Sequence, residues 1–313
     1  MDIIGLGLST LDVLMRLGEM PTWERGCSLS GFRLDGGGMV GTACVAAARL
    51  GARVGYVGTA GSDEAADLKL RSLREAGVDL SRMRIDDGPE REVVVVCVQE
   101  ETGERLFLGL KGIRSSMLTA EDLDRDYIAS APFLHLDGWH PEAALQAARW
   151  THEAGGRVAM DASKTDGRPV GDGTRELVAQ VDILICGSGF GKSFTGSDDT
   201  WEAGRKMLKA GPSIVVQTEG ERGSYTVTAD ECFHTPAFPV EVVDTTGAGD
   251  VFHGAYLVGL LKGWDLPTVA RFSTAVSALK CLQLGGRRGI PTFEQTMAFL
   301  EQDAELGRRV VRS

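Results

Sequence analysis

The sequence predicts an α/β protein whose core has three layers, α/β/α, around a mainly parallel sheet. Two observations lead to this fold class: strand-like and helix-like runs alternate along most of the chain, and the strand-like runs are almost continuously apolar. Strands buried on both faces have this composition, and they occur in parallel sheets that helices cover on both sides. The length of 313 residues suits one large domain, and no linker or repeat divides residues 1–313.

The predicted core strands are short and rich in branched apolar residues. They are Ile3–Gly7, Arg53–Val57, Phe133–Leu136, Arg157–Asp161, Asp182–Cys186 and Ile214–Gln217, with a further β-rich stretch at Ala237–Val243. The predicted helices have apolar residues at helical spacing, and Gly51 and Gly77 follow the first two as C-terminal stops. They are Val40–Leu50, Ala65–Ala76, Glu142–Glu153, Arg175–Gln180, Thr200–Lys209, Ala248–Leu261, Leu266–Cys281 and Phe293–Asp303.

Two segments interrupt this alternation. Val13–Leu34 and Arg91–Leu110 are patterned as extended strands joined by turns, and Glu101–Glu104 (ETGE) is typical of a hairpin turn. Neither segment is followed at once by a crossover helix. Together they predict a small antiparallel sheet that projects from the core, inserted in the single domain.

The composition excludes several classes of function. The 33 basic and 44 acidic residues give a net charge of −11, which argues against general affinity for nucleic acid or anionic membranes. No apolar run is long enough to span a membrane, and Met1–Gly5 predicts a strand instead of a signal peptide. The six cysteines form no CxxC pair. Four of them lie in apolar runs, namely Cys44, Cys97, Cys186 and Cys281. Buried, reduced thiols explain this pattern best, so we expect a cytoplasmic protein.

One motif is more informative than the rest of the chain. Val243–Gly254 (VDTTGAGDVFHG) joins the last β-rich stretch to an apolar helix. Its small residues Gly247, Ala248 and Gly249 leave the N–H groups of a helix N-terminus uncovered, and those donors with the helix dipole make an anion site. Asp250 in the first turn is either a helix starter or, beside an anion site, a base for phosphoryl transfer.

This motif resembles the C-terminal signature of the PfkB (ribokinase-like) carbohydrate kinases. The resemblance implies a ribokinase-like core with a small β lid over the sugar, which often forms a homodimer surface. It implies that Asp250 is the catalytic base and that the Gly247, Ala248 and Gly249 amides form an anion hole. It also places Asp244 near a monovalent cation such as K⁺. ATP and Mg²⁺ would be the co-substrate and its metal.

Two N-terminal features match the sugar-binding side of that family. Asp35–Ala43 (DGGGMVGTA) precedes the first Ala-rich helix, and the resemblance implies that Gly37 and Gly38 let the backbone approach the sugar. Thr42 stands where the family usually has Asn, and keeps a hydroxyl that donates and accepts. Asp12 follows the first strand and corresponds to a family aspartate that accepts hydrogen bonds from sugar hydroxyls.

Two other glycine motifs imitate nucleotide sites. Gly36, Gly38 and Gly41 form GxGxxG, but this motif does not follow the first strand of a βαβ unit, which disfavours a dehydrogenase. Gly191–Ser193 (GKS) follows a predicted strand, but the first glycine of a P-loop would fall at Cys186. A side chain there would crowd the phosphate cradle, so a true P-loop is disfavoured.

ATP binding is assigned by resemblance to Gln217–Ser224 (QTEGERGS). The matching family loop lies over the phosphates of ATP, which would give that role to Thr218, Gly220 and Gly223. The alternative is an ordinary turn between two strands.

The metal-handling region departs from the family pattern. The family usually carries Asn-x-x-Glu where this chain has Gly187 and Phe190. Lys192 or Lys164 could instead contact phosphates directly, although each could equally be a solvated surface lysine.

The last loop, Gly285–Pro291 (GGRRGIP), is either a helix C-cap or, by resemblance, a loop that closes the cation site and the adenine pocket. Together with DVFHGA and ALKC, it makes the C-terminal half similar to the bacterial sulfofructose kinases of the PfkB family. Core or rim packing is the expected role of Trp139, His140 and His253.

The sequence therefore predicts ATP-dependent phosphorylation of a hydroxyl on a small sugar or sugar derivative. Two alternatives remain open: a nucleoside or vitamin kinase of the same fold, and a catalytically silent sugar-binding regulator.

Overall fold

The computed structural model describes residues 1–110, 117–162 and 167–310, with side chains to residue 304. Lys164, considered above as a phosphate contact, lies outside the described residues. The main sheet has eight strands in the order β14-β13-β12-β11-β10-β9-β1-β4. They are β1 (Ile3–Leu6), β4 (Val54–Val57), β9 (Phe133–Leu136), β10 (Arg157–Ala162), β11 (Ile183–Gly187), β12 (Ile214–Thr218), β13 (Ser224–Val227) and β14 (Cys232–Thr235).

The strands from β4 to β12 run parallel, and β13 and β14 add an antiparallel edge. The predicted mainly parallel sheet is therefore confirmed. Successive residues of a strand point to opposite faces, and both faces here are buried. Ile3 and Ile185 belong to the apolar core on one side, whereas Ile4 and Leu184 belong to the core on the other.

Helices cover both faces of this sheet, which confirms the three-layer arrangement. They are α1 (Met39–Arg49), α2 (Glu64–Glu75), α3 (Arg125–Ile128), α4 (Pro141–Glu153), α5 (Asp172–Val178), α6 (Phe190–Thr195), α7 (Thr200–Leu208), α8 (Ala248–Leu261), α9 (Leu266–Lys280) and α10 (Phe293–Val310). The side chains of α1, α8 and α9 fill one core, and those of α4 to α7 contribute to the other. None of the described helices combines the length and apolar composition that a membrane span requires.

A separate four-stranded sheet, which we call the lid sheet, has the order β3-β2-β7-β8. Its strands are β2 (Thr10–Leu17), β3 (Gly31–Gly37), β7 (Val93–Gln99) and β8 (Arg105–Gly109), and two-residue strands β5 (Thr59–Ala60) and β6 (Arg84–Ile85) pair with each other elsewhere. The predicted turn at Glu101–Glu104 joins β7 to β8. The expectation of a purely antiparallel sheet is wrong, because β2 and β7 pair in parallel. The chain between them passes through the core, and such a long crossover allows parallel pairing.

The predicted β-rich stretch Ala237–Val243 is also wrong. The last strand ends at Thr235, and residues 236–243 form none. Pro236 and Pro239 lack the N–H groups that a strand ladder needs. The chain instead crosses to the end of α9, where the N–H of Val243 donates to the carbonyl of Cys281 at 2.9 Å. This contact positions the start of the VDTTGAGD loop.

All six cysteines are free thiols. The four that lie in apolar runs are buried, as predicted, and Cys27 and Cys232 are exposed.

Candidate active site

Polar side chains gather where the carboxyl ends of the parallel strands meet the lid sheet and the N-terminus of α8. Asp137 follows β9 directly and Asp161 lies near the end of β10, and both are buried. Ligands of open α/β sheets bind outside the carboxyl ends of the strands. The geometry therefore favours this edge as the active site.

The N-terminus of α8 is an open anion site. Gly247 caps the helix with φ +75°, a conformation that favours glycine, and no side chain caps the turn. The amide of Ala248 donates to the carbonyl of Thr245 at 3.2 Å. Among the described residues, the amides of Gly247, Gly249 and Asp250 have no acceptor. The predicted set of donors was Gly247, Ala248 and Gly249. The amide of Ala248 is already bonded within the turn, and the amide of Asp250 takes its place among the open donors.

Asp250 lies in the first turn of α8 and is half-buried. Burial raises the pKa of its carboxyl to about 7, the guanidinium of Arg105 opposes this rise, and the carboxylate of Asp12 adds to it. A carboxyl poised near neutral pH can accept a proton from a hydroxyl and keep it. The carboxyl group of Asp250 follows directly after the open amides of Gly247 and Gly249, an arrangement that suits phosphoryl transfer.

Asp161 is a site residue that the sequence analysis did not single out. Burial raises its pKa well above the ordinary value, and the charge of Asp250 raises it further. The Nε2 atom of His253 lies 3.4 Å from its Oδ2 atom, and the ring of His135 lies 5.3 Å from that of His253. Burial holds the pKa of His253 well below its usual value, so its imidazole is neutral. The packing role expected for His253 is therefore incomplete, because its imidazole also contacts the carboxyl group of Asp161.

The predicted sugar-binding residues come together where β2 begins, β3 ends and α1 starts. Asp12 is buried in β2, and its carboxylate accepts a hydrogen bond from the Thr10 hydroxyl at 2.6 Å. Burial raises the pKa of Asp12 to about 6. A side chain at Gly37 would overlap that carboxylate, and Gly38 adopts φ +83° where a side chain would overlap the backbone of residues 8 and 9. Both glycines are therefore required for the backbone to pass this close to Asp12.

Arg287 organises the same corner and was not predicted. Its side chain is fully buried and donates hydrogen bonds to the carbonyl of Gly37, to the Ser9 hydroxyl and to the Thr42 hydroxyl. The Thr42 hydroxyl, expected to contact the sugar, thus accepts from Arg287 across 3.3 Å. The guanidinium therefore links the last loop, Gly285–Pro291, to the N-terminal residues that surround Asp12.

Asp244 is fully buried and fixes the loop before α8. Its Oδ1 atom accepts from the amide and hydroxyl of Thr246, and its Oδ2 atom accepts from the amide of Gly285 at 2.8 Å. The ammonium of Lys280 donates to its backbone carbonyl at 2.9 Å. Both carboxylate oxygens are therefore engaged within the protein.

A contact from the lid sheet reaches this loop. The guanidinium of Arg105 in β8 donates to the hydroxyl of Thr245. Since Arg105 also lowers the pKa of Asp250, the lid sheet contributes charge to the site.

The family model described as pfkB family carbohydrate kinase matches residues 13–293. The chain belongs to this family. It is 29% identical over 301 residues to the ATP-dependent ribose-1-phosphate kinase of Halopiger xanaduensis, which covers 96% of this chain and 98% of the relative. It is 27% identical to the 5-dehydro-2-deoxygluconokinase of Shouchella clausii, over 96% of each chain.

Solved structures agree with this assignment. A putative ribokinase from Agrobacterium tumefaciens superposes with a TM-score of 0.87 at 25% identity, over 97% of this chain and 98% of that one. The pfkB kinase described here therefore has the ribokinase-like fold. It is an ATP-dependent sugar kinase, a phosphotransferase that acts on an alcohol group.

The predicted ATP-binding residues of this pfkB kinase fall into two groups. Thr218 ends β12, and Gly220 and Gly223 form the turn into β13, both with positive φ. Lys192 lies apart from them in α6, where its ammonium pairs with Asp198 at 2.6 Å and its side chain is 63% exposed. The structure therefore places Lys192 in a surface ion pair, which was the alternative interpretation.

The region that departs from the pfkB pattern offers no acidic replacement at the two expected positions. Phe190 is buried against Phe194, and Gly187 ends β11. Cys186 is fully buried, which agrees with the rejection of a P-loop. In the described part of the chain, no group of three or more His, Cys, Asp or Glu side chains is arranged to hold a metal ion.

Proposed function

We propose that this pfkB kinase transfers the γ-phosphoryl group of MgATP to a hydroxyl of a small sugar or sugar derivative held at the lid sheet beside Asp12, with Asp250 as the base. The observation that carries the proposal is the adjacency of the Asp250 carboxyl to the open amides at the N-terminus of α8. Mg²⁺ enters with ATP as part of that substrate.

The proposed reaction uses both parts of this turn. A bond forms between the sugar oxygen and the γ-phosphorus while the bond from that phosphorus to the bridging oxygen of ADP breaks. The hydroxyl proton passes to Asp250, whose burial raises its pKa and so favours the protonated product. The amides of Gly247 and Gly249 would stabilise the charge on the transferring group, since fixed dipoles aimed at developing charge lower the barrier. Thr218, Gly220 and Gly223 would line the nucleotide side.

The sugar is proposed by chemical class only. The two relatives named above act on a sugar phosphate and on a sugar acid, which are both anionic. In this chain the guanidinium of Arg105 lies beside the base, on the lid side of the site. A substrate that carries a phosphate or carboxylate would find a charge partner there. The experiment below also tests the two alternatives that the sequence left open, a nucleoside or vitamin kinase and a silent regulator.

A K⁺ ion does not fit at Asp244 as the resemblance implied. The ammonium of Lys280 already donates to the Asp244 carbonyl, and a second cation on that oxygen would be repelled by it. We therefore propose that the buried ammonium supplies the positive charge and that turnover needs no K⁺.

We also propose that the kinase forms a homodimer through the lid sheet. All five residues of β8 are exposed. Three of them are large and apolar, namely Leu106, Phe107 and Leu108. Exposed apolar patches of this kind often mark protein contacts. Light scattering after gel filtration tests the proposal, since a monomer at micromolar concentration would overturn it.

The cytoplasmic location and the likeness to sulfofructose kinases stay predictions.

The decisive experiment measures ADP release with MgATP across ketoses, aldoses, nucleosides, ribose 1-phosphate and 5-dehydro-2-deoxygluconate. The matched control is Asp250→Asn, which keeps the size of the side chain and removes the base. Turnover of one sugar class that is lost in the variant supports the proposal and names the class. Turnover of nucleosides alone favours the first alternative. ATP binding without turnover of any compound favours the silent regulator.

A further inference from the structure

A groove lies beside the place where Arg287 meets Ser9, Gly37 and Thr42, which we call the sugar corner. The groove has a volume of about 570 Å³ and lies between the edge strand β3, the helices α1 and α2, and the last loop. Five arginines line it, namely Arg33, Arg49, Arg71, Arg287 and Arg288. Of the acidic residues that the structure describes, two accompany them, Asp35 and Glu75. In a chain whose net charge is −11, this is a concentration of positive charge.

The arginines at the mouth of the groove are available to a ligand. Arg49, Arg71 and Arg288 are exposed, and none of them forms an ion pair with a carboxylate among the described residues. Within the described ranges, Arg49 donates only to the backbone carbonyls of Arg287 and Arg288, at 3.2 Å and 3.5 Å. The Nε atom of Arg33 is buried and has no acceptor in the described part of the chain. A buried donor without a partner costs free energy, and an anion in the groove would relieve that cost.

Among the described residues, neither of these acids forms an ion pair with an arginine of the groove, although the charge of Asp35 acts on the guanidinium of Arg287. The carboxylate of Asp35 accepts from the backbone amides of Gly36, Arg287 and Arg288, at 2.9 Å, 3.2 Å and 3.3 Å. It therefore braces the loop that carries Arg288 instead of pairing with a guanidinium. Guanidinium groups recognise phosphoryl oxygens through paired hydrogen bonds.

Part of the lining of the groove is apolar. Phe32, Leu34, Val45 and Leu68 form it. Small-molecule sites typically combine an apolar lining with a few convergent polar groups and enclose some 300–1,000 Å³. We propose that this groove binds a small phosphorylated metabolite, with its phosphoryl group held by Arg71 and Arg288.

The floor of the groove connects to the sugar corner. One nitrogen of Arg287, Nη1, meets the hydroxyl of Ser72 at 3.0 Å on the groove side. Its Nη2 atom donates to the Ser9 hydroxyl and to the carbonyl of Gly37 on the sugar side. An anion in the groove would change the position or charge environment of this guanidinium. We therefore expect binding there to change the affinity for the sugar, a regulatory effect that rests on the proposed kinase function.

Binding is tested without reference to activity. With the nucleotide site filled by a non-hydrolysable ATP analogue, the melting temperature is followed while inorganic phosphate or ribose 5-phosphate is added against KCl at matched ionic strength. We expect the wild-type protein to be stabilised. In Arg71→Ala/Arg288→Ala, we expect the apparent affinity to fall about tenfold or more, since charge-assisted hydrogen bonds are lost.

Arg74→Ala is the matched control, because Arg74 is exposed on the same helix but pairs with Asp67 outside the groove. It should bind like the wild type. Stronger binding of ribose 5-phosphate than of phosphate identifies a phosphorylated sugar as the ligand, and equal binding identifies free phosphate. No stabilisation of the wild type, or equal stabilisation of the double variant, overturns the proposal.

Regulation is tested separately through steady-state kinetics. At a saturating anion concentration, we expect the KM for the sugar to change about fivefold or more, with little change in the KM for ATP. The double variant should lose this response, whereas Arg74→Ala should keep it. If the double variant instead changes the oligomeric state while it still binds phosphate, the groove is a subunit contact and the proposal fails. Absence of any kinase activity, with phosphate still bound by the arginines, refutes the proposed function but not the binding site.

Discussion

The guanidinium of Arg105 in the lid sheet donates a hydrogen bond to the hydroxyl of Thr245, in the loop that precedes the proposed base. The two residues are 140 positions apart. This contact joins the lid sheet to the loop that leads into the open N-terminus of α8. It also brings a permanent positive charge near Asp250, whose pKa it lowers.

We expect Arg105→Met to raise the KM for the sugar about tenfold, which corresponds to the loss of a charge-assisted hydrogen bond of about 1.5 kcal/mol. Arg105→Lys keeps the charge and should recover part of that loss. The measurement is a steady-state titration of the sugar at saturating MgATP. An unchanged KM in Arg105→Met would show that the lid contact does not help to hold the sugar.

The pH dependence of kcat/KM reports on the base. Burial raises the pKa of Asp250 to about 7, and a base acts only when it has lost its proton. Activity should therefore fall about tenfold per pH unit below that pKa. In Arg105→Met the opposing positive charge is gone, so the acid limb should move to higher pH. An acid limb near pH 4 in the wild type would contradict the raised pKa.

Asp250→Asn should be nearly inactive, with kcat lower by about 10²- to 10⁴-fold, yet more stable than the wild type at pH 8. In the folded protein the pKa of Asp250 is raised from 3.8 to about 7. Between these values the folded state holds a proton that the unfolded state has released, so the free energy of unfolding decreases as the pH rises. Asparagine stays neutral and avoids this loss.

The measurement is urea denaturation of both proteins at pH 5 and pH 8. The stability advantage of Asp250→Asn should be small at pH 5 and larger at pH 8. An advantage of the same size at both values would mean that the charge of Asp250 is not destabilising.

Lys280→Met tests the proposed internal cation. The ammonium of Lys280 is fully buried and donates to the Asp244 carbonyl, so its removal leaves that oxygen unpaired at a cost of about 1–3 kcal/mol. We expect lower stability and a new stimulation of the variant by K⁺, which could take the vacated place. Tetramethylammonium at equal concentration is the control for ionic strength. A wild-type enzyme that requires K⁺ would refute the proposal.

The sequence predicted the core and the turn that carries Asp250 because both depend on local patterns. Continuous apolar runs specify strands buried on two faces, and small residues before an apolar helix specify an open N-terminus. The sequence also contains the evidence against a strand at Ala237–Val243, namely Pro236 and Pro239. Asp161 was also visible, as an acid near the end of an apolar strand.

Local patterns could not predict the roles of Arg105, Lys280 and Arg287. Each acts through a contact with a distant segment, and a single arginine or lysine in a strand, helix or loop gives no local signal of what it will touch. The parallel pairing of β2 with β7 has the same origin, because the direction of β7 depends on the path of the chain through the core. Neither feature can be read from periodicity.

The burial of Arg287 has a consequence for synthesis of the protein. Its hydrogen-bond partners Ser9, Gly37 and Thr42 precede it by 278, 250 and 245 residues. Domains generally begin to fold as the chain leaves the ribosome, but here the sugar corner is incomplete until the last tenth of the chain has emerged. A nascent chain that is released early would contain Ser9, Gly37 and Thr42 and still lack the guanidinium that bonds all three, so we expect a prematurely terminated product not to compete for the sugar.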